Sequence, residues 1–147
     1  MEWQQGEYTV TDDQNDLEMD TIYRFLHEAS YWAENIPRSI VEKSVANSLC
    51  FGLYHGKKQI GFARAISDYA TFAYIADVFV VPGHQGKGLG KWLISCILTH
   101  PELQGLRRWM LATLDAHGLY EQSGFVGLRH PEWFLEIHNP DIYCRKG

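Results

Sequence analysis

Three glycines at alternate positions, Gln85-Gly86-Lys87-Gly88-Leu89-Gly90, are the residues whose types and spacing point most directly to chemistry. Glycine lacks a Cβ, so another group can approach its backbone closely, and it adopts φ values other residues avoid. The run follows Val78-Phe79-Val80-Val81, which reads as a buried strand stopped by Pro82-Gly83. From Leu89 onward the apolar residues fall at helical spacing, so the glycines open a helix. Free N–H groups in that first turn, with the positive end of the helix dipole, form a site for phosphate. A Walker loop is excluded, because two residues rather than four separate Gly83 from Gly86, and Gly88 stands where Ser or Thr must ligate magnesium. A dinucleotide fingerprint starting at Gly86 meets Lys91 in place of its third glycine. Two titratable groups lie near in sequence. Asp77 is the only carboxylate in the apolar strand that precedes the turn, where a charge is costly and usually has a purpose. His117 is the other candidate, histidine being the side chain suited to acid–base work near neutral pH. Each also has a plain reading: Asp77 as partner to a loop, His117 as the rim of a packed helix beside Gly118.

The elements that must position these residues follow from the periodicity. Glu7–Thr11 is one candidate strand. Asp20 is a plausible N-cap for a helix with the stripe Ile22, Phe25, Leu26 and Ala29, running to about Trp32. Ser39 and Glu42 make a capping box for a second helix ending near Asn47. Leu49–Tyr54 and Gln59–Ser67 read as a hairpin, with His55-Gly56-Lys57-Lys58 between them. Thr71–Val81 is a longer central strand. Strict alternation puts Phe72, Tyr74, Ala76, Val78 and Val80 on one face, and Ala73, Ile75, Phe79 and Val81 on the other, both covered. The helix after the glycines ends at His100-Pro101. Arg108–Ala112 is a short strand, Thr113 caps a helix to about Gln122, and Gly124 stops it. Phe125-Val126 begins one more strand and Trp133–Ile137 forms the last. The order β-α-α-β-β-β-α-β-α-β-β predicts an α/β class with a mixed sheet.

The chain of 147 residues is expected to be one domain, 1–147, large enough to bury a core. Its net charge of −5 argues against nucleic acid, whose phosphates need a basic face. No apolar run reaches the length of a membrane span and no basic-then-apolar leader opens the chain, so a cytoplasmic protein with no membrane partner is expected. Three scattered cysteines and seven dispersed histidines show no metal spacing, and no metal is expected.

Gln85-x-x-Gly88-x-Gly90 after a strand valine resembles the acetyl-coenzyme A pyrophosphate loop of the GNAT superfamily of N-acetyltransferases. Leu119-Tyr120-Glu121-Gln122-Ser123-Gly124-Phe125 resembles the superfamily's second coenzyme A segment. The order of elements is also similar to the GNAT fold, which implies a mixed sheet of about six or seven strands flanked by about four helices. The chain as a whole is similar to small single-domain bacterial members of unassigned acceptor. The resemblance implies transfer of an acetyl group from acetyl-CoA to a primary amine of a small molecule or peptide, by direct attack in a ternary complex. It implies cofactor contacts at Val78, Phe79, Val80, Gln85, Gly86, Lys87, Gly88, Leu89, Gly90, Lys91, Thr113 and Tyr120. A backbone N–H near Val80 would meet the thioester carbonyl where strands of this family splay apart, and Tyr120 would serve the departing thiolate. Asp77 or His117 would be the base. Tyr31, Trp32, Phe72 and Tyr74, with Tyr69, would line the acceptor site, although each reads equally well as a core or rim aromatic. A homodimer is possible in this family. The alternative function is a coenzyme A-binding regulatory or sensor module without catalysis.

Overall fold

The computed structural model describes residues 1–144. Six strands form one sheet in the order β1 to β6: β1 (Glu2–Gln5), β2 (Tyr8–Thr11), β3 (Leu49–His55), β4 (Lys58–Ser67), β5 (Phe72–Val80) and β6 (Arg108–Met110). Neighbours from β1 to β5 are antiparallel, and β5–β6 alone is parallel. The helices are α1 (Met19–Arg24), α2 (Arg38–Ala46), α3 (Leu89–Leu98) and α4 (His117–Glu121). This is the mixed α/β class expected, with six strands and four helices among the described residues.

Helices pack against both faces of the sheet. One face carries α3 and α4, with Phe51, Leu53, Ile75, Leu93, Ile94 and Ile97 in its core. The other carries α1 and α2, packing Ile22, Leu26, Val41 and Val45 on Phe62 and Phe79. The start of α1 is tied to β4 by a reciprocal pair. Gln59 Oε1 accepts from Glu18 N (2.7 Å), and Gln59 N donates to Glu18 Oε2 (2.6 Å). Gln59 is fully buried, so these bonds hold α1 against the sheet where an unpaired amide would be costly.

Several local expectations are corrected. The first helix stops at Ala29, not Trp32. After α1 it widens into one π-turn over Phe25–Ala29, in which Ser30 N donates to Phe25 O. Such a turn inserts one residue into the helix and re-aims the residues after it. Glu18 rather than Asp20 holds the N-cap, and Asp20 pairs with Arg38 instead. No capping box forms at Ser39. Pro37 precedes α2, and Glu42 accepts from Arg38 Nε at 3.0 Å, one helical turn away. An extra strand, β1, pairs with β2 across the Gly6 turn. The helix expected from Thr113 begins only at His117, although Thr113 Oγ1 accepts from Ala116 N at 3.1 Å and orders the approach. Gly124 does end it, at φ +101°. Phe125-Val126 and Trp133–Ile137 are not strands: no ladder partner reaches them among the described residues.

The central strand departs from strict alternation. Phe62 pairs with Phe79 and Arg64 with Ala76, so Asp77 and Val78 together oppose Ala63. This is a β-bulge, with Asp77 in the left-handed region at φ +56°. The extra residue reverses the faces beyond it. Ile75, Val78 and Val80 all pack toward α3, while Phe79 packs toward α1 and α2. The expected partition of β5 therefore holds only up to Ala76. Nor is its first half covered on both faces, since Phe72 is exposed and Tyr74 and Ala76 are half-exposed.

Candidate active site

Beyond β5 the chain turns through Gly83, Gly86 and Gly88, all left-handed at φ +96°, +79° and +75°. A Cβ built on Gly86 or Gly88 would meet nothing within 4 Å, so packing does not demand glycine there; backbone conformation does. Gly88 is the N-cap of α3, and no side chain caps that end. The N–H groups of the first turn are left to solvent or to an anion. Leu89 is buried and anchors the turn, whereas Lys87 and Lys91 are exposed on it. Gln85 Nε2 donates to Val80 O at 2.7 Å and ties the turn to the end of β5. Gly90 faces α4: a Cβ there would lie 3.7 Å from Leu119 Cδ2, an ordinary contact.

Strands β5 and β6 pair over only three residues, Phe72–Tyr74 with Arg108–Met110. Past them the strands part. A cavity of about 400 Å³ opens there between Ile75–Val78 and Leu111–Ala116. Tyr31, Trp32, Tyr74, Tyr120 and His138 complete its wall. Tyr31 bridges the two sides, its Oη accepting from Leu114 N at 2.9 Å. The π-turn at the end of the first helix delivers Tyr31 and Trp32 to this place.

At the cavity wall Asp77 is held by two partners. Trp32 Nε1 donates to Oδ1 at 2.9 Å, and Arg64 Nε donates to Oδ2 at 2.6 Å. Arg64 Nη1 also donates to Ser48 Oγ at 3.1 Å. Both members of the ion pair are largely buried, an arrangement that needs this geometry to offset desolvation. Each carboxylate oxygen retains acceptor capacity for a further donor. Tyr120 lies across the cavity, almost wholly buried. Burial first, then the neighbouring Tyr31 and Asp115, push its phenol up to about 12.

The fold thus brings Tyr31, Trp32, Tyr74, Asp77, Val78, Thr113 and Tyr120 to one cavity. His117 is not among them. It is exposed on the rim of a neighbouring depression that shares Tyr120, Thr113 and Phe125. Phe72 and Tyr69 lie outside the cavity as well, at the start of β5 and in the turn before it. Arg64 and His138 were not anticipated. Arg64 could have been, as the one charge between Ile60 and Ile66 of an otherwise apolar strand. His138 carried no signal, because a lone histidine in a tail without periodicity has none. Among the described residues no group of side chains could hold a metal ion, and no helix is long and apolar enough to cross a membrane.

An uncapped glycine-rich helix entry thus stands beside a parallel pair of strands that parts after three residues, an arrangement open to an anionic ligand. The model of the acetyltransferase (GNAT) family matches residues 7–125, and the chain belongs to that family. A candidate acetyltransferase of the fungus Gibberella zeae is 33% identical, over 82% of this chain and 80% of its own. A candidate GNAT-family acetyltransferase from Xanthomonas campestris pv. campestris superposes with a TM-score of 0.92. It is 45% identical, covering 94% of this chain and 97% of its own. A candidate acetyltransferase from Clostridium acetobutylicum, solved with acetyl-CoA, shares the fold at a TM-score of 0.65. It is 14% identical, covering 89% of this chain and 94% of its own. The chain is an acetyltransferase of the GNAT family.

Proposed function

We propose that the protein, as one domain over residues 1–147, moves the acetyl group of acetyl-CoA to a primary amine of a small molecule or peptide. The observation that carries this reading is the meeting of three features at one cavity: the parted β5 edge, Tyr120 and Asp77. The glycine turn fits the cofactor's pyrophosphate, since Gly86 and Gly88 leave their outer side open and α3 has no cap of its own. Residues 85–91 would bind it through backbone N–H groups, with Lys87 and Lys91 adding positive charge. Val78, Phe79 and Val80 would take the pantetheine arm along β5, and Thr113 would flank it. When bound, acetyl-CoA supplies the acetyl group and leaves as a thiol.

The residues of the chain then divide the proton work. Asp77 accepts a hydrogen bond from the incoming ammonium and takes its first proton, directly or through water. Arg64 and Trp32 hold the carboxylate in place. As the new N–C bond forms and the C–S bond breaks, the second proton of the nitrogen leaves toward the sulfur. Tyr120 donates a hydrogen bond there. Its phenol, near 12, is a weaker acid than a thiol of ordinary pKa about 8.5, so it stabilises the thiolate without surrendering its proton completely. A backbone N–H of β5 near Val80 would steady the carbonyl oxygen. Tyr31, Trp32 and Tyr74 suit an amine's alkyl stem or its charge. His117 and Phe72 stand further off, and His117 is the reserve candidate for the base. The setting we infer is cytoplasmic, without nucleic acid or membrane.

The test is thiol release from acetyl-CoA across an amine library, expected to depend on at least one acceptor. Tight coenzyme A binding with no acceptor-dependent release from any amine would instead establish a regulatory or sensor module.

A further inference from the structure

One side chain of the glycine turn has no part in the site so far. His84 stands between the left-handed Gly83 and Gly86, one residue before Gln85. Its backbone N–H donates to Val81 O at 3.2 Å, which fixes where the ring starts. The half-buried ring rests on two other elements. Tyr8 of β2 meets it edge-on, with centroids 6.2 Å apart, and His55 at the end of β3 lies 5.3 Å away. Stacking of this kind orients a ring but satisfies no nitrogen. His84 Nδ1 is the one buried side-chain nitrogen or oxygen without a hydrogen-bond partner among the described residues. Leaving a buried polar atom in that state is costly, whichever tautomer the ring adopts.

The charges that act on the ring are of one sign. Lys87 follows it in the turn, Lys58 opens β4, and His55 adds positive charge when protonated. Glu7 reaches the cluster beside Tyr8, but its carboxylate faces His55 Nε2 at 3.2 Å. Burial first, then Lys87, His55 and Lys58, hold the His84 imidazole below the usual histidine range, so the free ring is mainly neutral at about pH 7. A bound polyanion reverses these influences. The pyrophosphate proposed for residues 85–91 brings two negative charges to N–H groups that begin one residue after His84. A counter-charge within ~4–6 Å raises a cationic group's pKa by about 1–3. Protonation also makes Nδ1 a donor, and the phosphate, or a water it holds, is an acceptor that the turn itself does not supply.

We infer that His84 takes up a proton when the cofactor's pyrophosphate binds, so that cofactor affinity rises as pH falls through the neutral range. The inference rests on the reading of the glycine turn as the cofactor site. Proton and cofactor then favour one another by the same factor, about tenfold at most if the bound ring titrates one pH unit above the free ring. The gain develops as pH drops through the value in the complex, and it levels off below the lower value of the free protein.

Dephospho-coenzyme A is the probe, because its diphosphate keeps its charge across this range, whereas a terminal phosphate titrates at about 6. Titration calorimetry at about pH 7, in Hepes and in Tris, should show proton uptake on binding to wild type. Affinity should rise about threefold to tenfold from about pH 8 to about pH 6. His84→Gln should bind without proton uptake and with an affinity nearly independent of pH, while His55→Gln keeps both effects. A side chain that merely packs would lower affinity equally at every pH. Binding to wild type without proton uptake, or uptake that persists in His84→Gln, would overturn the inference and leave the turn as the cofactor site. No binding of coenzyme A or its dephospho form at any pH would overturn the cofactor reading itself. The wild-type His84 ring resonance, assigned through its proximity to Tyr8, decides alone if His84→Gln does not fold. It should titrate about one pH unit higher in the complex, and an unchanged titration would overturn the inference.

Discussion

The glycine turn and the Asp77 cavity follow one another along one strand and are built by opposite means. The turn is made of backbone: left-handed glycines, an uncapped helix and one side-chain brace from Gln85. The cavity is made of side chains drawn from far apart, with Trp32 forty-five residues from Asp77 and Tyr31 eighty-three from Leu114. A backbone site is specified by what its residues lack. A side-chain site is specified by where the whole fold delivers them. The two should therefore fail differently when altered.

The largest effect is expected in the turn. Gly88→Val places a β-branched residue at φ +75°, a conformation costing roughly 1–3 kcal/mol, and puts a Cβ on the side left open for phosphate. Coenzyme A affinity should fall by about a hundredfold or more, measured by calorimetric titration, with a lower but cooperative unfolding transition. Gly90→Ala sharpens the point. Its φ is ordinary and its Cβ meets Leu119 at contact distance, so the fold should tolerate it. Undiminished affinity in a folded Gly88→Val protein would remove the turn from the site.

Next comes Tyr120→Phe, which keeps the ring and its edge-on packing against Phe125. Turnover should fall about a hundredfold, roughly 3 kcal/mol of barrier, while coenzyme A affinity changes less than about threefold. That split distinguishes a side chain acting on developing charge from one that binds. Wild-type kcat in the folded variant would mean that water protonates the thiolate.

Asp77→Asn should act more mildly on chemistry and more strongly on the fold. Turnover should drop about tenfold, most at low pH where less free amine exists, with coenzyme A affinity near wild type. Leaving Arg64 without its charged partner should cost about 2 kcal/mol, visible as a lower denaturant midpoint. If Asp77→Asn is fully active and His117→Ala is not, the base is His117.

The smallest effect belongs to a control outside both regions. Asp68 accepts from the backbone N–H groups of Ala70, Thr71 and Phe72 and from the Thr71 hydroxyl. The Thr71 hydroxyl first, then these N–H groups, hold its carboxyl well below the usual range. A depressed carboxylate stabilises the fold above its unfolded pKa of about 3.9, and that contribution fades as pH falls through the lower folded value. Asp68→Asn should therefore lower the unfolding temperature slightly and by a constant amount between about pH 5 and 7, and progressively less below about pH 4. Neither kcat nor coenzyme A affinity should move. A change in either would join the β4–β5 turn to the site.

The same contrast explains how much could be read from the sequence. The backbone of the turn was legible, because Pro82-Gly83 and the alternate glycines mark a strand-to-helix junction, whereas what it binds rested on the resemblance. The sheet from β2 to β5 was legible too, since its apolar runs end at Gly, Asp or Lys punctuation. The π-turn and the bulge were not. Each inserts one residue without any local compositional mark, and each decides which side chains reach the cavity. Arg64 pairs with Asp77 only because the bulge turns that carboxylate toward β4. The tail misled for another reason. Trp133–Ile137 has the alternation of a strand, and pattern alone does not show whether a partner strand lies within reach.

The bulge at Asp77 also gives β5 a joint. An ordinary strand is a single register, so a change at one end is felt in which face every later residue serves. Here the parity is reset midway. The segment up to Val78 lines the cavity, and the segment after it leads through Val80 to the glycine turn, with Phe79 facing α1 and α2. The cavity-facing positions Tyr74 and Ala76 can be rewritten for a different acceptor without disturbing the second, provided the length is kept and the buried Ala73 and Ile75 stay apolar. Loss or gain of a single residue between Ala73 and Val80 would exchange the two faces and uncouple the halves at once, whereas the exposed turn at Tyr69-Ala70 can absorb the same change. One aspartate thereby separates what can diverge in this molecule from what must stay fixed.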